Sequence, residues 1–148
     1  MAQLQIEQWR QPQQKLINQF YKSHQQNVSC HRADDIYFMR DTESENDTIV
    51  AVTFIRKLTT SSEHLHLLRS LFVSPTFRNK GLAKQLIQYI LQDQHVPLTV
   101  ICETKLTALY LSVGFTLCDV TDCLDSDYLS KFIKQNYHIL KYNHNSNT

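Results

Sequence analysis

Apolar and polar side chains alternate over residues 4–9, LQIEQW, the period of a half-buried strand. Pro12 then opens a helix on which Leu16, Ile17 and Phe20 form one apolar face, with Gln, Asn and Lys on the wet side. Residues 34–40, DDIYFMR, read as a strand and the acidic stretch after them as a turn. Residues 48–57, TIVAVTFIRK, are a second, strongly β-branched strand that completes a hairpin. A polar loop, TTSSE, leads to a strand at 65–73, LHLLRSLFV, which Ser74-Pro75 stops. From 79 to 92 the apolar positions Leu82, Ala83, Leu86, Ile87, Ile90 and Leu91 recur at three- and four-residue intervals, the clearest helical signal in the chain. A short buried strand follows at 98–102, LTVIC, and then a short helix at 105–113 closed by Gly114. A strand at 115–120, a helix at 124–135 and a last strand at 137–142, YHILKY, complete the pattern. This order predicts an α/β protein, a mixed sheet with helices packed on both faces.

Composition narrows the class. With 148 residues there is room for a single domain, 1–148. Hydrophobic residues at 42% and charged ones at 20% exclude a disordered tail, a coiled coil and a collagen-like fibre. No apolar run approaches the ~18 residues of a spanning helix, and the start, MAQLQIEQWRQPQQ, has no signal-peptide stretch. The expectation is a cytoplasmic protein with no membrane partner. Fifteen basic against 14 acidic side chains leave a net charge of +1, too little to draw the chain to nucleic acid. Cys30, Cys102, Cys118 and Cys123 show no CxxC spacing and are expected as free thiols. Cys102 and Cys118 have no His nearby in sequence and read as packing residues rather than nucleophiles. His64 and His66 share one strand face, but no adjacent Cys or Asp completes a ligand set, so no metal is expected.

The chemistry concentrates in 71–83, LFVSPTFRNKGLA. A buried strand ends at a proline, a basic loop follows, and Gly81 falls within the first turn of the predicted helix. A helix N-terminus carries unpaired N–H groups and partial positive charge, and Gly81 has no side chain to hold a ligand off them. Arg78, Lys80 and Lys84 add cations at the end of the helix where they oppose its dipole, a conflict that a bound pyrophosphate removes. By itself such a start is more often a solvated surface turn than a phosphate site. It is neither a Walker loop nor a dinucleotide fingerprint, because the further glycines of both are missing.

RNKGLA, residues 78–83, resembles the Gln/Arg-x-x-Gly-x-Gly/Ala signature of the GCN5-related N-acetyltransferases, and LFVSP before it resembles the strand and proline that lead into that signature. Downstream, LYLSVGF at 109–115 is similar to the second landmark of the family, Leu-Tyr on a helix followed by Gly-Phe. The element order matches over nearly the whole chain. The resemblance implies the acyl-CoA N-acyltransferase fold, with acetyl-coenzyme A between two splayed parallel strands, here 65–73 and 98–102. It implies a pyrophosphate on the amides of Arg78, Asn79, Lys80, Gly81, Leu82 and Ala83, with Lys84 a further cofactor-binding cation. The pantetheine arm would add along the strand edge at Leu71, Phe72 and Val73, where an amide polarises the thioester carbonyl. Tyr110 matches the tyrosine that protonates the departing thiolate. Its other reading is a core or cofactor-packing residue.

The chain departs from the family pattern at several places. Glu103 stands where an asparagine is usual, and is either an acceptor for cofactor or amine or a solvated strand end. Leu106 replaces a small alanine. The acidic residue often found on the fourth strand is absent from Leu68-Arg69-Ser70, and Glu63, His64 and His66 lie just upstream. No base is assigned. The acceptor side would be shaped by residues 19–32 and 122–136, which include Tyr21, His31, Tyr128, Phe132 and the aspartates at 122, 125 and 127. The resemblance thus implies acetyl transfer to a primary amine of a small molecule or peptide by direct attack in a ternary complex, and a homodimer by family analogy. A non-catalytic acetyl-CoA or CoA sensor is the competing reading.

Overall fold

The computed structural model describes residues 4–9, 14–44, 48–59, 64–118 and 137–144. The strands are β1 (Leu4–Trp9), β2 (Asp35–Asp41), β3 (Thr48–Thr59), β4 (His64–Val73), β5 (Leu98–Glu103), β6 (Thr116–Leu117) and β7 (Tyr137–Tyr142). The helices are α1 (Gln14–Ser23), α2 (Leu82–Asp93) and α3 (Thr107–Ser112). Among the described residues the strands pair in the order β1-β2-β3-β4-β5-β7-β6. The pairings of β1 with β2, β2 with β3, β5 with β7 and β6 with β7 are antiparallel, while β4 and β5 run parallel at Leu67↔Thr99 and Leu68↔Val100. The chain divides into two compact units, Met1–Arg56 with Ser70–Asp93, and Lys57–Arg69 with Gln94–Thr148.

In the first unit β2 is buried on both faces, and its side chains explain why. Ile36 and Phe38 join Ile17, Phe20 and Tyr21 of α1, together with Cys30, Val52 and Phe54, in one core cluster. Tyr37, on the alternate face, sends its hydroxyl to the Asp93 carboxylate of α2 at 2.6 Å and packs its ring edge-on to Tyr89. Each face therefore carries a helix, as expected. The apolar stripe of α1 sits one position on from the expected one: Leu16 is half exposed, and Tyr21 is fully buried. Ile17, Phe20 and Tyr21 satisfy the three- and four-residue spacing without Leu16, and Tyr21 gains a hydrogen bond from its hydroxyl to the Ser70 carbonyl at 2.6 Å. Tyr21 is thus a core residue rather than part of an acceptor wall.

The loop after α1 is fastened by two side chains. Asn18 accepts from the Cys30 amide at 2.8 Å and donates to its carbonyl at 3.3 Å. Arg56, on β3, donates to both carboxylate oxygens of buried Asp34 at 3.0 and 2.8 Å and to the Ser29 carbonyl at 3.2 Å. Asp34 also accepts from the His31 amide at 2.6 Å. At the outer edge, Arg40 of β2 pairs with Glu7 of β1.

In the second unit Leu65 and Ile139 form a small cluster with Leu58, Ile101 and Cys118. Tyr110, Phe115 and Tyr142 stack in sequence, with ring centroids 5.4 Å apart at each step. The predicted strand at 115–120 is reduced to Thr116–Leu117 among the described residues. The predicted helix at 124–135, Cys123, and the segment 122–136 with its aspartates, Tyr128 and Phe132 lie outside the described residues. Cys30, Cys102 and Cys118 are free thiols. Among the described residues no helix is long and apolar enough to cross a membrane.

Candidate active site

One group of candidate residues, in the first unit, grows out of the end of β4. Ser70 adopts φ of 58°, a left-handed break in the strand that re-aims Leu71, Phe72 and Val73, all half-buried. The Ser74 amide then bonds the Val50 carbonyl at 2.7 Å, and Pro75–Phe77 form one 3-10 turn. Proline suits this position because its missing N–H would have no helical partner there. Arg78 is extended, Asn79 has φ of 64° and Gly81 has φ of 75°. The predicted helical start at 79 is therefore wrong, and Gly81 lies before the first turn rather than within it. Two left-handed residues cannot sit in a right-handed helix. The first helical hydrogen bond runs from the Gln85 amide to the Gly81 carbonyl at 3.1 Å, so the amides of Leu82, Ala83 and Lys84 precede the helical ladder.

This turn suits an anion. Alternating φ signs across 79–81 aim successive N–H groups to one side, and the helix adds its dipole. A Cβ built on Gly81 meets nothing within 4 Å, so the approach to these amides is open. The cations behave differently from one another. Arg78 turns back, its Nε donating to the Val73 carbonyl at 3.0 Å and its guanidinium lying 5.2 Å over the Phe72 ring. Lys80 lies 5.1 Å over the Phe77 ring, whereas Lys84 is exposed on α2. Leu82 buries its side chain, so only its amide faces outward.

A separate group of candidate residues, in the second unit, follows β5. Glu103, at the strand end, is half exposed and pairs with Lys105 at 3.4 Å, a surface contact of little energetic weight. Cys102 is buried, and burial pushes its thiol upward while a hydrogen bond from Thr107 opposes the shift. Thr107 Oγ1 is also 2.8 Å from His138 Nδ1. Cys102 and His138 are cross-strand partners in β5 and β7, so a histidine does lie beside this thiol, brought there by register rather than by sequence proximity. Leu106 is half-buried in the 3-10 turn before α3.

Tyr110 is almost fully buried, on the same face of α3 as Thr107 one turn earlier. Its phenol has no hydrogen-bond partner among the described residues. Burial first, and then the Cys102 thiol, hold its ionisation well above the ordinary range. Gly114 ends α3 with φ of 108°. The Gly114 amide bonds Leu111 and the Phe115 amide bonds Tyr110, a Schellman closure that fixes the helix end. Of the upstream base candidates, His64 bonds Thr59 at 3.1 Å on the surface, His66 is half-buried, and Glu63 lies outside the described residues.

Comparison with known proteins bears on the whole arrangement. Curated protein sequences include none that matches. Solved structures do match. The N-acetyltransferase of Staphylococcus aureus Mu50 is similar at 14% identity and a TM-score of 0.65, over 96% of this chain and 98% of that one. Arabidopsis thaliana NAA60, solved in complex with acetyl-CoA, is similar at 12% identity and a TM-score of 0.68, over 96% and 100%. N-acetylglutamate synthase from Neisseria gonorrhoeae, solved with coenzyme A and L-arginine, matches at 14% identity and a TM-score of 0.65, over 97% of this chain and 34% of that one. At these identities the likeness is one of fold, and the fold is the expected one. A family model described as an acetyltransferase (GNAT) domain matches residues 34–117, a span that contains both the turn at 78–84 and Tyr110. Since that span exceeds half of the chain, the protein belongs to the GNAT acetyltransferases and is by family an acyltransferase.

Proposed function

We propose that this protein, acting as one domain, is an N-acetyltransferase that moves the acetyl group of acetyl-CoA to a primary amine by direct attack in a ternary complex. The observation that carries the reading is the turn at 78–84, where two left-handed residues and three amides ahead of the α2 ladder stand open to an anion. The amides of Asn79, Lys80, Gly81, Leu82, Ala83 and Lys84 hold the pyrophosphate, while the Arg78 amide is taken by the Pro75 carbonyl at 3.3 Å and Lys84 adds an exposed cation. The backbone at Leu71, Phe72 and Val73 takes the pantetheine arm and polarises the thioester carbonyl. Acetyl-CoA supplies an activated acyl group with a thiolate leaving group, and solved structures of similar fold carry acetyl-CoA or coenzyme A. Tyr110 gives its proton to the departing thiolate. Burial keeps the phenol protonated and makes it a weaker acid than free tyrosine, but a thiolate released into apolar surroundings is a correspondingly stronger base.

Calorimetry with acetyl-CoA tests the first claim, and absence of binding at millimolar ligand overturns it. Thiol release across a panel of amines, polyamines, antibiotics and peptides tests the second. One feature favours the sensor reading: Glu103, which could be an acceptor for cofactor or amine or a solvated strand end, is half exposed beside Lys105. Acetyl-CoA binding with no thiol release from any acceptor supports the sensor, and release with any one of them excludes it.

A further inference from the structure

The family reading leaves the reaction without a base and the amine without a class. Both gaps are addressed by a cluster at the C-terminus of α1. His24 packs edge-on to Phe20 at 4.8 Å between ring centroids and lies 5.3 Å from Phe72, while Phe20 and Phe72 are 6.0 Å apart. The imidazole is half-buried, and neither ring nitrogen has a hydrogen-bond partner among the described residues. Its backbone is well determined. The Gln26 amide bonds the Tyr21 carbonyl at 2.9 Å and the Gln25 amide bonds Lys22 at 3.0 Å, with Gln25 left-handed at φ 58°. This is a Schellman closure with His24 as the last residue before the turn, built without glycine at the position that favours it. Asparagine and glycine being absent there, the chain accepts strain next to an imidazole that makes no structural hydrogen bond.

Phe72 links the cluster to the candidate site. Its side chain is the shared neighbour of Phe20, His24 and Arg78, and its backbone lies in the segment Leu71 to Val73 that presents the thioester in the reading above. We propose that His24 is the general base and that Phe72, half-buried where Phe20 belongs to the core, receives the acceptor, a monoamine with an apolar body. This rests on the acetyltransferase reading. Aromatic faces attract a primary ammonium and pack against its carbon body. The Arg78 guanidinium already over Phe72 repels a second cation on the acceptor, which disfavours polyamines.

In the step, the ammonium gives one proton to His24, leaving neutral amine and imidazolium. The amine nitrogen then forms a C–N bond at the acetyl carbonyl carbon as the C–S bond breaks. The thiolate gains a proton, the nitrogen loses its second one, and His24 releases the first to water, so one proton is produced per turnover.

The test uses the full chain, acetyl-CoA, and phenethylamine or spermidine as acceptor. Wild type is expected to release thiol with phenethylamine at least tenfold faster than with spermidine. His24→Ala is expected to lower phenethylamine turnover by roughly 100-fold, to keep acetyl-CoA affinity within about twofold, and to recover turnover when free imidazole is added. His24→Phe, which keeps the aromatic packing, is expected to be equally slow. Undiminished turnover in His24→Ala overturns the proposal, as does a loss that imidazole does not restore. Acetyl-CoA binding with spermidine preferred, or with neither amine acetylated, overturns the acceptor class while leaving the coenzyme reading standing. Failure of wild type to bind acetyl-CoA overturns the underlying reading instead.

Discussion

The chain contains two glycines, and both have positive φ, so the same substitution at each probes two different physical situations. Gly114 sits at φ 108°, and an added Cβ there meets Tyr142 Cε2 at 3.0 Å and Cδ2 at 3.6 Å. That ring cannot simply swing away, because Phe115 packs against it at 5.4 Å and His144 at 4.9 Å. The backbone conformation costs an alanine about 1–3 kcal/mol, and moving a packed ring costs about as much again. Loss of glycine entropy from the unfolded chain returns about 0.4–1 kcal/mol. The net expectation for Gly114→Ala is roughly 3 kcal/mol of destabilisation, or about 10 °C in Tm for a chain of this length. At Gly81 the φ is 75° but nothing lies within 4 Å of the new methyl group, so only the left-handed penalty of about 1–2 kcal/mol remains, partly offset as before. Gly81→Ala should cost roughly 1 kcal/mol, about 3 °C. Its methyl group enters the space before the open amides, so acetyl-CoA affinity should fall by about tenfold, equivalent to ~1.4 kcal/mol. Thermal unfolding of both variants, with calorimetry on Gly81→Ala, separates these effects. A Gly81→Ala protein as unstable as Gly114→Ala, or one with unaltered acetyl-CoA affinity, refutes the reasoning.

Tyr110→Phe removes a buried hydroxyl that bonds to no described residue, so unfolding should shift by less than about 1 kcal/mol while kcat falls roughly 100-fold. An unchanged kcat removes the acid role. Asp34→Ala leaves the Arg56 guanidinium, 16% exposed, without its carboxylate, and urea unfolding should show a loss of about 3 kcal/mol; a loss under 1 kcal/mol contradicts the clasp described for the loop after α1. Burial, and secondly Asp34, push the Cys30 thiol from 9.0 to about 11. The fold thus favours the neutral thiol, and its contribution is intact below pH 9 and is lost as pH rises towards about 11, by up to about 3 kcal/mol. Stability compared at pH 8 and pH 10.5 should fall further in wild type than in Cys30→Ala, and equal slopes exclude the mechanism.

β1 was legible from its alternation, whereas β2, β3 and β5, buried over continuous runs, were legible from short apolar or β-branched stretches bounded by polar turns. β1 and β7 begin and end where alternation places them, and β2, β4 and β5 differ by a single residue at one or both ends. Helix edges were less legible, because apolar periodicity reports which face is buried and not where the backbone turns. The periodic residues of α2 include Leu82 and Ala83, and the helix does start at Leu82; the extension back to Asn79 failed because Asn79 and Gly81 take left-handed φ, and periodicity carries no record of φ. At α1, Leu16 and Tyr21 compete for one stripe. A tyrosine is outwardly ambiguous until its hydroxyl finds a partner, here the Ser70 carbonyl released by a break in β4 49 residues away.

The candidate site divides along the same line. Its backbone component was written locally: a proline that stops a strand, a glycine before a helix, and cations between them, all within 71–84. Its side-chain relations were not, because each joins segments far apart in the chain. Arg56 reaches Asp34 because the β2–β3 hairpin sets Asp35 opposite Ile55. His138 reaches Thr107 because β7 returns antiparallel to β5 with Cys102 opposite it. His24 meets Phe72 because α1 covers the face of the sheet on which Phe72 packs. A sequence read by spacing therefore finds the turn at 78–84, since it is made of consecutive residues, but not the packing of His24 on Phe72, since that depends on strand register and helix placement. The same logic explains why Cys102 read as isolated from histidine: in a sheet, the nearest neighbour of a residue is set by register, and the intervening residues 103–137 say nothing about it.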